Sequence, residues 1–309
     1  MTENLSFVVQ GPVLKDSAIA DGIFSTKDVL SSIRTHFPGS EIILSTWKGT
    51  ETSGLEYDKV ILNDDPGAIV IPGVSSPFNH NRLILSSRNG IAIASHSVVV
   101  KTRSDVMFLN NSLLKRLDYI KPLKGRYAIF RNSVLSTNYY VRNPVRMNLL
   151  YHASDILLVG KKVDMELFFS APLVSSESMI TDKNDIKMVA EQHLTTSAIA
   201  FIEKRKNDFV SINSTFIGHF LKSEQYLFNN FEFFSISDLG VAFPKKLRYA
   251  LAPEGNYSMR EATRLSRGYR SKKGSQMFSL LRGMEYFISR LRLYINAKIQ
   301  IFTKMFFKD

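Results

Sequence analysis

Short β-branched runs alternate with helix-spaced segments through the first third of this chain, and few architectures absorb that alternation. Leu5 to Gln10 is a strand candidate that ends at Gly11-Pro12. Thr26 to His36 places apolar residues at helical spacing, with Ser25 or Thr26 positioned to cap it. Pro38-Gly39 turns the chain into a second strand, Glu41 to Ser45, and Lys59 to Leu62 forms a third that closes on NDDPG. Asn79 is placed to cap a helix running to about Ser95, with Leu83, Ile84, Ile91 and Ala94 inward. Val98, Val99 and Val100 then open a fourth strand. This pattern predicts an α/β fold built on a mainly parallel sheet. Ligands of such sheets sit outside the carboxyl ends of the strands.

The fourth strand breaks off on charge. In SVVVKTRSDVMF, Lys101, Arg103 and Asp105 stand between two apolar runs, where burying charge is costly. Asp105 after a strand reads equally as a turn former or helix cap, or as a group for phosphate chemistry at the strand end. Sugar transfer from a nucleotide sugar requires neutralisation of a departing diphosphate, by a carboxylate-held metal or by Lys and Arg. One Asp with Lys101 and Arg103 nearby suits a mixture of both.

The remainder is less regular. Tyr127 to Phe130 and Ile156 to Val159 read as strands, and Ile186 to Lys204 as a helix. Ser211 to Pro244, rich in Phe, Asn and Ser, carries no pattern that assigns it. Leu251 to Gly274 reads as a polar, flexible connection. The expected division is residues 1–250 as the main domain and 251–309 as a basic helical segment. With 309 residues, 44% hydrophobic and 22% charged, the chain can bury a sizeable core. It has no cysteine, which excludes disulfides and thiolate metal sites. No uncharged run reaches the ~18 apolar residues of a spanning helix, and MTENLSFVVQGP has no secretory-signal pattern.

FVVQGPV, FPGSEIILSTWKG, NDDPG, NHNRLILSSRNG and VKTRSD occur in that order between Phe7 and Asp105, and HASDILLVG and AEQHL extend the series to about residue 200. Together these blocks resemble the WavE lipopolysaccharide synthesis family. The resemblance implies a bacterial glycosyltransferase of GT-A-like, Rossmann-type fold, acting on surface polysaccharide or lipopolysaccharide. It also implies an Asp-x-Asp pair holding a divalent cation under the diphosphate. Here the triplet is Arg103-Ser104-Asp105, so a cation replaces the first acid. Two arrangements remain open: Asp105 as the single protein ligand of Mn²⁺ or Mg²⁺, which often keeps waters and substrate phosphates as its other ligands, or Arg103 or Lys101 directly against phosphate.

Further positions follow from this frame. Gln10 and Gly11 close the first strand, where a GT-A-like sheet would meet base and ribose; a plain turn also explains them. Trp47 is the only Trp and either stacks on a base or sugar or fills core. Asp64 and Asp65 follow the third strand, with Asp65 able to accept from ribose hydroxyls or serve as a turn residue. Arg82 opens a helix against the dipole, which a diphosphate would favour. Asp155, beside His152, reads as an acid–base group or as one half of a satisfied surface pair. Glu191, at the start of a helix, either serves the helix dipole or is the base of an inverting transferase, with Asp155 in reserve.

The net charge of +12 is concentrated at the end of the chain. Between Arg264 and Asp309, eleven Lys or Arg face only Glu285 and Asp309, a balance of +9. From Met277 onward apolar residues fall at helical spacing, as in helices that lie in anionic membrane interfaces; the alternative is an ordinary helix packed on its own domain. The expected partners are therefore a nucleotide-sugar donor, a lipid-linked glycan acceptor and the anionic inner-membrane surface, at whose cytoplasmic face the protein would sit peripherally. A nucleic-acid-binding protein and a non-catalytic scaffold of polysaccharide assembly are the competing classes; the charge permits the first, but no recognised binding module appears. No G-x-G-x-x-G follows the first strand, which disfavours a dinucleotide oxidoreductase.

Overall fold

The computed structural model describes residues 4–147, 149–180, 186–204, 217–249, 255–271 and 275–306. In chain order the elements are β1 (Leu5–Gln10), α1 (Thr26–His36), β2 (Glu41–Trp47), β3 (Lys59–Asn63), α2 (His80–Ala92), β4 (Val98–Arg103), β5 (Met107–Phe108), β6 (Val134–Thr137), α3 (Pro144–Met147), β7 (Leu157–Lys161), α4 (Lys162–Phe168), α5 (Ala190–Ile202), α6 (Ile217–Asn230), β8 (Phe231–Phe234), β9 (Val241–Ala242), α7 (Lys245–Tyr249), α8 (Met259–Arg270) and α9 (Ser275–Phe306).

A seven-stranded sheet runs β3-β2-β1-β4-β7-β6-β8. The first four strands are parallel, as the strand–helix alternation predicts. β7 is antiparallel to both neighbours, and β6 and β8 pair in parallel. Strand alternation sends side chains to two cores. Phe7, Val9, Ile42, Leu44, Val98 and Val100 pack under α1 on one face. Val8, Ile43, Val99 and Leu158 face α2, α4, α5 and α6 on the other. α2 lies so close to the sheet that a Cβ on Gly90 would stand 2.4 Å from Val8 Cγ1. The glycine therefore sits mid-helix despite its low propensity.

Several local expectations hold and several fail. Ser25 caps α1 in a reciprocal box with Asp28. Asn79 stands at the N-terminus of α2 but makes no cap bond; its Oδ1 accepts from Arg82 instead. Tyr127–Phe130 is not a strand; its backbone is held by side chains, with Asn230 accepting from Ile129 and Phe130. The strand of that region is β6, one turn further on. The stretch from Ser211 to Pro244 supplies α6, β8 and β9, with 211–216 outside the described residues. The connection expected over Leu251–Gly274 contains α8, a helix with its own Ser258–Glu261 capping box; residues 251–254 and 272–274 lie outside the described residues.

The first half of α9 is tied to the body. Arg282 donates from Nε and Nη2 to fully buried Glu224 of α6, at 2.9 and 2.8 Å. Tyr257 and Tyr269 donate their hydroxyls to the same carboxylate, and Tyr286 stacks on Phe220 at 4.0 Å. Breaking a buried, hydrogen-bonded ion pair of this kind on one side leaves a naked charge and costs about 3–5 kcal/mol. The apolar positions anticipated beyond Ile295 carry side chains outside the described residues. Among the described residues no helix is long and apolar enough to cross a membrane.

Candidate functional site

The parallel strands β1, β2 and β4 end side by side, with Gln10 opposite both Ser45 and Arg103. A cleft of about 670 Å³ opens at that edge, within the range of small-molecule and cofactor sites. Gly11 forms part of its floor with φ +121°, and a Cβ there would press on Ser104 Oγ at 3.1 Å. Only glycine takes this turn without strain. Ser104 locks the turn, its N–H donating to Gln10 O and its Oγ to Pro12 O.

Of the residues named from sequence, the cleft brings together Gln10, Gly11, Trp47, Asp65, Arg82, Arg103, Asp105, Asp155 and Glu191. Gln10 is fixed by Ser86, whose Oγ donates to its Oε1 at 2.7 Å. Trp47 is half-buried on the cleft wall rather than in the core. Arg82 owes its position to Asp65, which accepts two bonds from it at 2.7 and 2.6 Å. That fork offsets the unfavourable helix dipole with a carboxylate of the chain itself. Asp64 instead points into solvent with Lys48.

Lys101 is the exception. Its side chain is 0% exposed and lies behind the cleft, against the Phe169 ring. Its Nζ donates to the Asp155 carbonyl and stands 3.6 Å from that residue's carboxylate. The expectation that it touches diphosphate therefore fails: it shares its face of β4 with Arg103 but lies two residues back from the strand's end, under the Phe169 ring. Burial pulls its ammonium down to about 8, against the pull of Asp155. The His152–Asp155 surface pair fails likewise, since both residues are buried.

Asp105 is buried and doubly paired. Arg103 donates to it from Nε and Nη2 at 2.8 and 2.9 Å, and Lys246 of α7 approaches at 2.8 Å. Burial alone would raise its pKa, but these two cations outweigh burial and hold the carboxyl at about 2. The same pairing raises Arg103 against the effect of its own burial. The donor set does not fit a divalent cation. Both Asp105 oxygens face cations, residue 103 is a guanidinium, and hard cations such as Mg²⁺ want oxygen ligands free of such competition. Among the described residues no three His, Asp or Glu side chains group as metal ligands.

The same cleft also holds Asp155 and Glu191. Burial, and then repulsion from Asp155, pushes Glu191 up to about 7, against the pull of Arg142 and Lys101. His152 Nε2 lies 3.6 Å from Glu191, beyond hydrogen-bonding range. Burial and the neighbouring Arg142 drive His152 down to about 3, so it is neutral and the two form no ion pair near neutral pH. Arg142 is itself buried, donating to Asn256 at 2.6 Å and lying over the Tyr140 ring. A cleft carboxyl whose pKa lies near 7 can accept a proton in the physiological range.

Sequence reasoning missed Lys246, Arg142 and His80. Lys246 lies far along the chain from Asp105, in PKKLRY, which carries no distinguishing signal. His80 lines the cleft with its Nε2 buried and without a hydrogen-bond partner, and burial lowers it to about 4.

Sheet, glycine turn and charged cleft define an α/β protein with a polar candidate site at the carboxyl edge of parallel strands. The chain belongs to the WavE lipopolysaccharide synthesis family, whose model matches residues 5–300. Membership gives it a role in lipopolysaccharide synthesis. No curated protein matches it.

Proposed function

We propose that this protein is a glycosyltransferase of GT-A-like fold that moves a sugar from a nucleotide-sugar donor to a lipid-linked glycan. The observation that carries the reading is the pairing, within one cleft, of a cation cluster around an ionised acid with a second acid held near neutrality. Separated pKa values of this kind mark groups with different jobs. The family's role in lipopolysaccharide synthesis supports sugar transfer over other chemistries.

In this reading the nucleoside lies along Gln10, Gly11, Trp47 and the Asp65–Arg82 pair. Arg103 and Lys246 receive the diphosphate. A guanidinium has five N–H donors and an ammonium three; Asp105 takes two from Arg103 and one from Lys246, which leaves the others for phosphate oxygens. Asp105 is thus a positioning residue. An acceptor hydroxyl attacks the anomeric carbon and gives its proton to Glu191. The anomeric carbon–oxygen bond breaks, and its electron pair leaves on the diphosphate beside the two cations. One base on one face implies inversion. Charge stabilisation of this type supplies the largest single share of many enzymatic accelerations.

The test is a screen of purified protein against nucleotide sugars, following donor hydrolysis and transfer with Mn²⁺ and with chelator. Turnover that persists in chelator and is lost in Arg103→Ala is the expected result. Failure to bind any nucleotide sugar, or hydrolysis unchanged in both Arg103→Ala and Glu191→Gln, would overturn the reading.

A further inference from the structure

The side of α9 turned away from the body is apolar. Leu280, Leu281, Met284, Phe287, Ile288 and Leu291 are all exposed. They recur at steps of three and four, so they form one stripe along the helix. Arg282 and Tyr286, which anchor α9 to α6, fall on the other side. The stripe continues onto α6, where partly exposed Ile217 packs beside Gly283. Contiguous apolar patches of this extent mark interaction surfaces.

Charge decides what the surface meets. At helical spacing Arg290 and Arg292 fall on opposite margins of the stripe. α8 packs on α9, Arg264 pairing with Glu285, and it carries exposed Arg260 and Arg267 as well. Over Arg264–Asp309 the balance is +9. Of the two acids in that span, Glu285 is bound by Arg264 and Arg282. A second copy seated on the stripe would bring +9 against +9 with no acid left in α9's described length to pair across, and like charges oppose association. An anionic lipid surface meets both requirements at once.

We propose that the outer face of α9, with the arginines of α8, lies flat in the surface of a bilayer containing anionic lipid. The helix lies along the interface and does not span it: arginines punctuate it, and the inner face is committed to the protein core. Basic amphipathic helices with Phe and Leu on the apolar side bind in this way. The inference does not depend on the proposed transfer chemistry.

The test is flotation of the full-length protein with vesicles of phosphatidylcholine alone or mixed with phosphatidylglycerol, at low and high salt. Binding is expected to the mixed vesicles and to weaken with salt. Combined Leu280→Ser, Met284→Ser and Phe287→Ser should lower it by at least roughly tenfold, with circular dichroism and donor hydrolysis retained. Arg290→Glu with Arg292→Glu, which leaves the stripe intact, should weaken binding at low salt. Absence of flotation with either vesicle would overturn the proposal. So would a wild-type dimer that the triple variant makes monomeric, or tighter binding to RNA or DNA than to the mixed vesicles. Donor hydrolysis lost while flotation persists would count against the transferase reading and leave this one standing.

Discussion

Asp105 and Glu191 are carboxyl groups in the same cleft, both largely removed from water, and their surroundings drive them in opposite directions. Asp105 has a guanidinium fork and an ammonium on its oxygens and is held at about 2. Glu191 has burial and a second carboxylate against it and is pushed up to about 7. Burial by itself raises both. The difference lies in the nearest charges, which decide whether a buried acid serves as a fixed anion or as a proton acceptor. The two acids therefore respond to pH with opposite sign. Asp105 binds its proton less readily when folded, so its stabilisation is present above about 3.8 and is lost as pH falls toward 2. Glu191 binds its proton more readily when folded, so its contribution is present below about 4.5 and is lost as pH rises through 7.

Glu191→Gln tests this comparison most severely. It should lower kcat for transfer by roughly 10²–10⁴-fold while leaving donor affinity nearly unchanged; a comparable fall in donor affinity would show that Glu191 binds the donor and does not act as the base. Arg103→Ala attacks the cations around Asp105 and should lower donor turnover by about 10²–10³-fold, as loss of a charge-stabilising donor does elsewhere. Steady-state kinetics in chelator distinguish this from a metal effect.

Asp105→Asn should destabilise the protein by about 2 kcal/mol near pH 7, the worth of a shift from 3.8 to about 2 at roughly 1.4 kcal/mol per unit. Urea unfolding should show the gap from wild type closing as pH falls from about 4 to 2. A gap that stays constant would mean the carboxylate's charge is not what stabilises it. Asp155→Asn removes the neighbouring carboxyl that raises Glu191 and should move the ascending limb of the pH–kcat profile to lower pH. An unmoved limb would assign that limb to another group. The smallest effect belongs to Arg82→Lys, which loses the fork to Asp65 but keeps the charge. Both partners are about a third exposed, so the change in stability should stay under roughly 1 kcal/mol, measured by thermal unfolding.

Much of the near side of the cleft was legible in the chain. Gly11-Pro12 ends β1 and NDDPG ends β3, because turn chemistry is local. Asp105 was identified as a charge at a strand end, and it is one. What it touches was not legible. Lys246 carries no signal in its own neighbourhood, and Lys101, two residues from Arg103 and on the same strand, differs from it only in how far along the sheet it lies. The helix position of Arg82 by itself suggests a bound anion; Asp65, from a turn in the preceding loop, supplies the compensation. The α8 helix was obscured by its polarity, since only Ala262, Leu265 and Tyr269 turn inward.

Hydrophobic period and turn residues are properties of a few neighbouring side chains, so sequence alone determined the four parallel strands, their helices and the edge at which the cleft opens. The direction of β7 was decided by long-range pairing. Because it runs antiparallel, its first residues return to the ligand edge, with Leu157 opposite Thr102, and Asp155 arrives beside Lys101 and Glu191. Only that meeting, together with the burial around it, pushes Glu191 up to about 7, while Arg103 and Lys246 hold Asp105 at about 2.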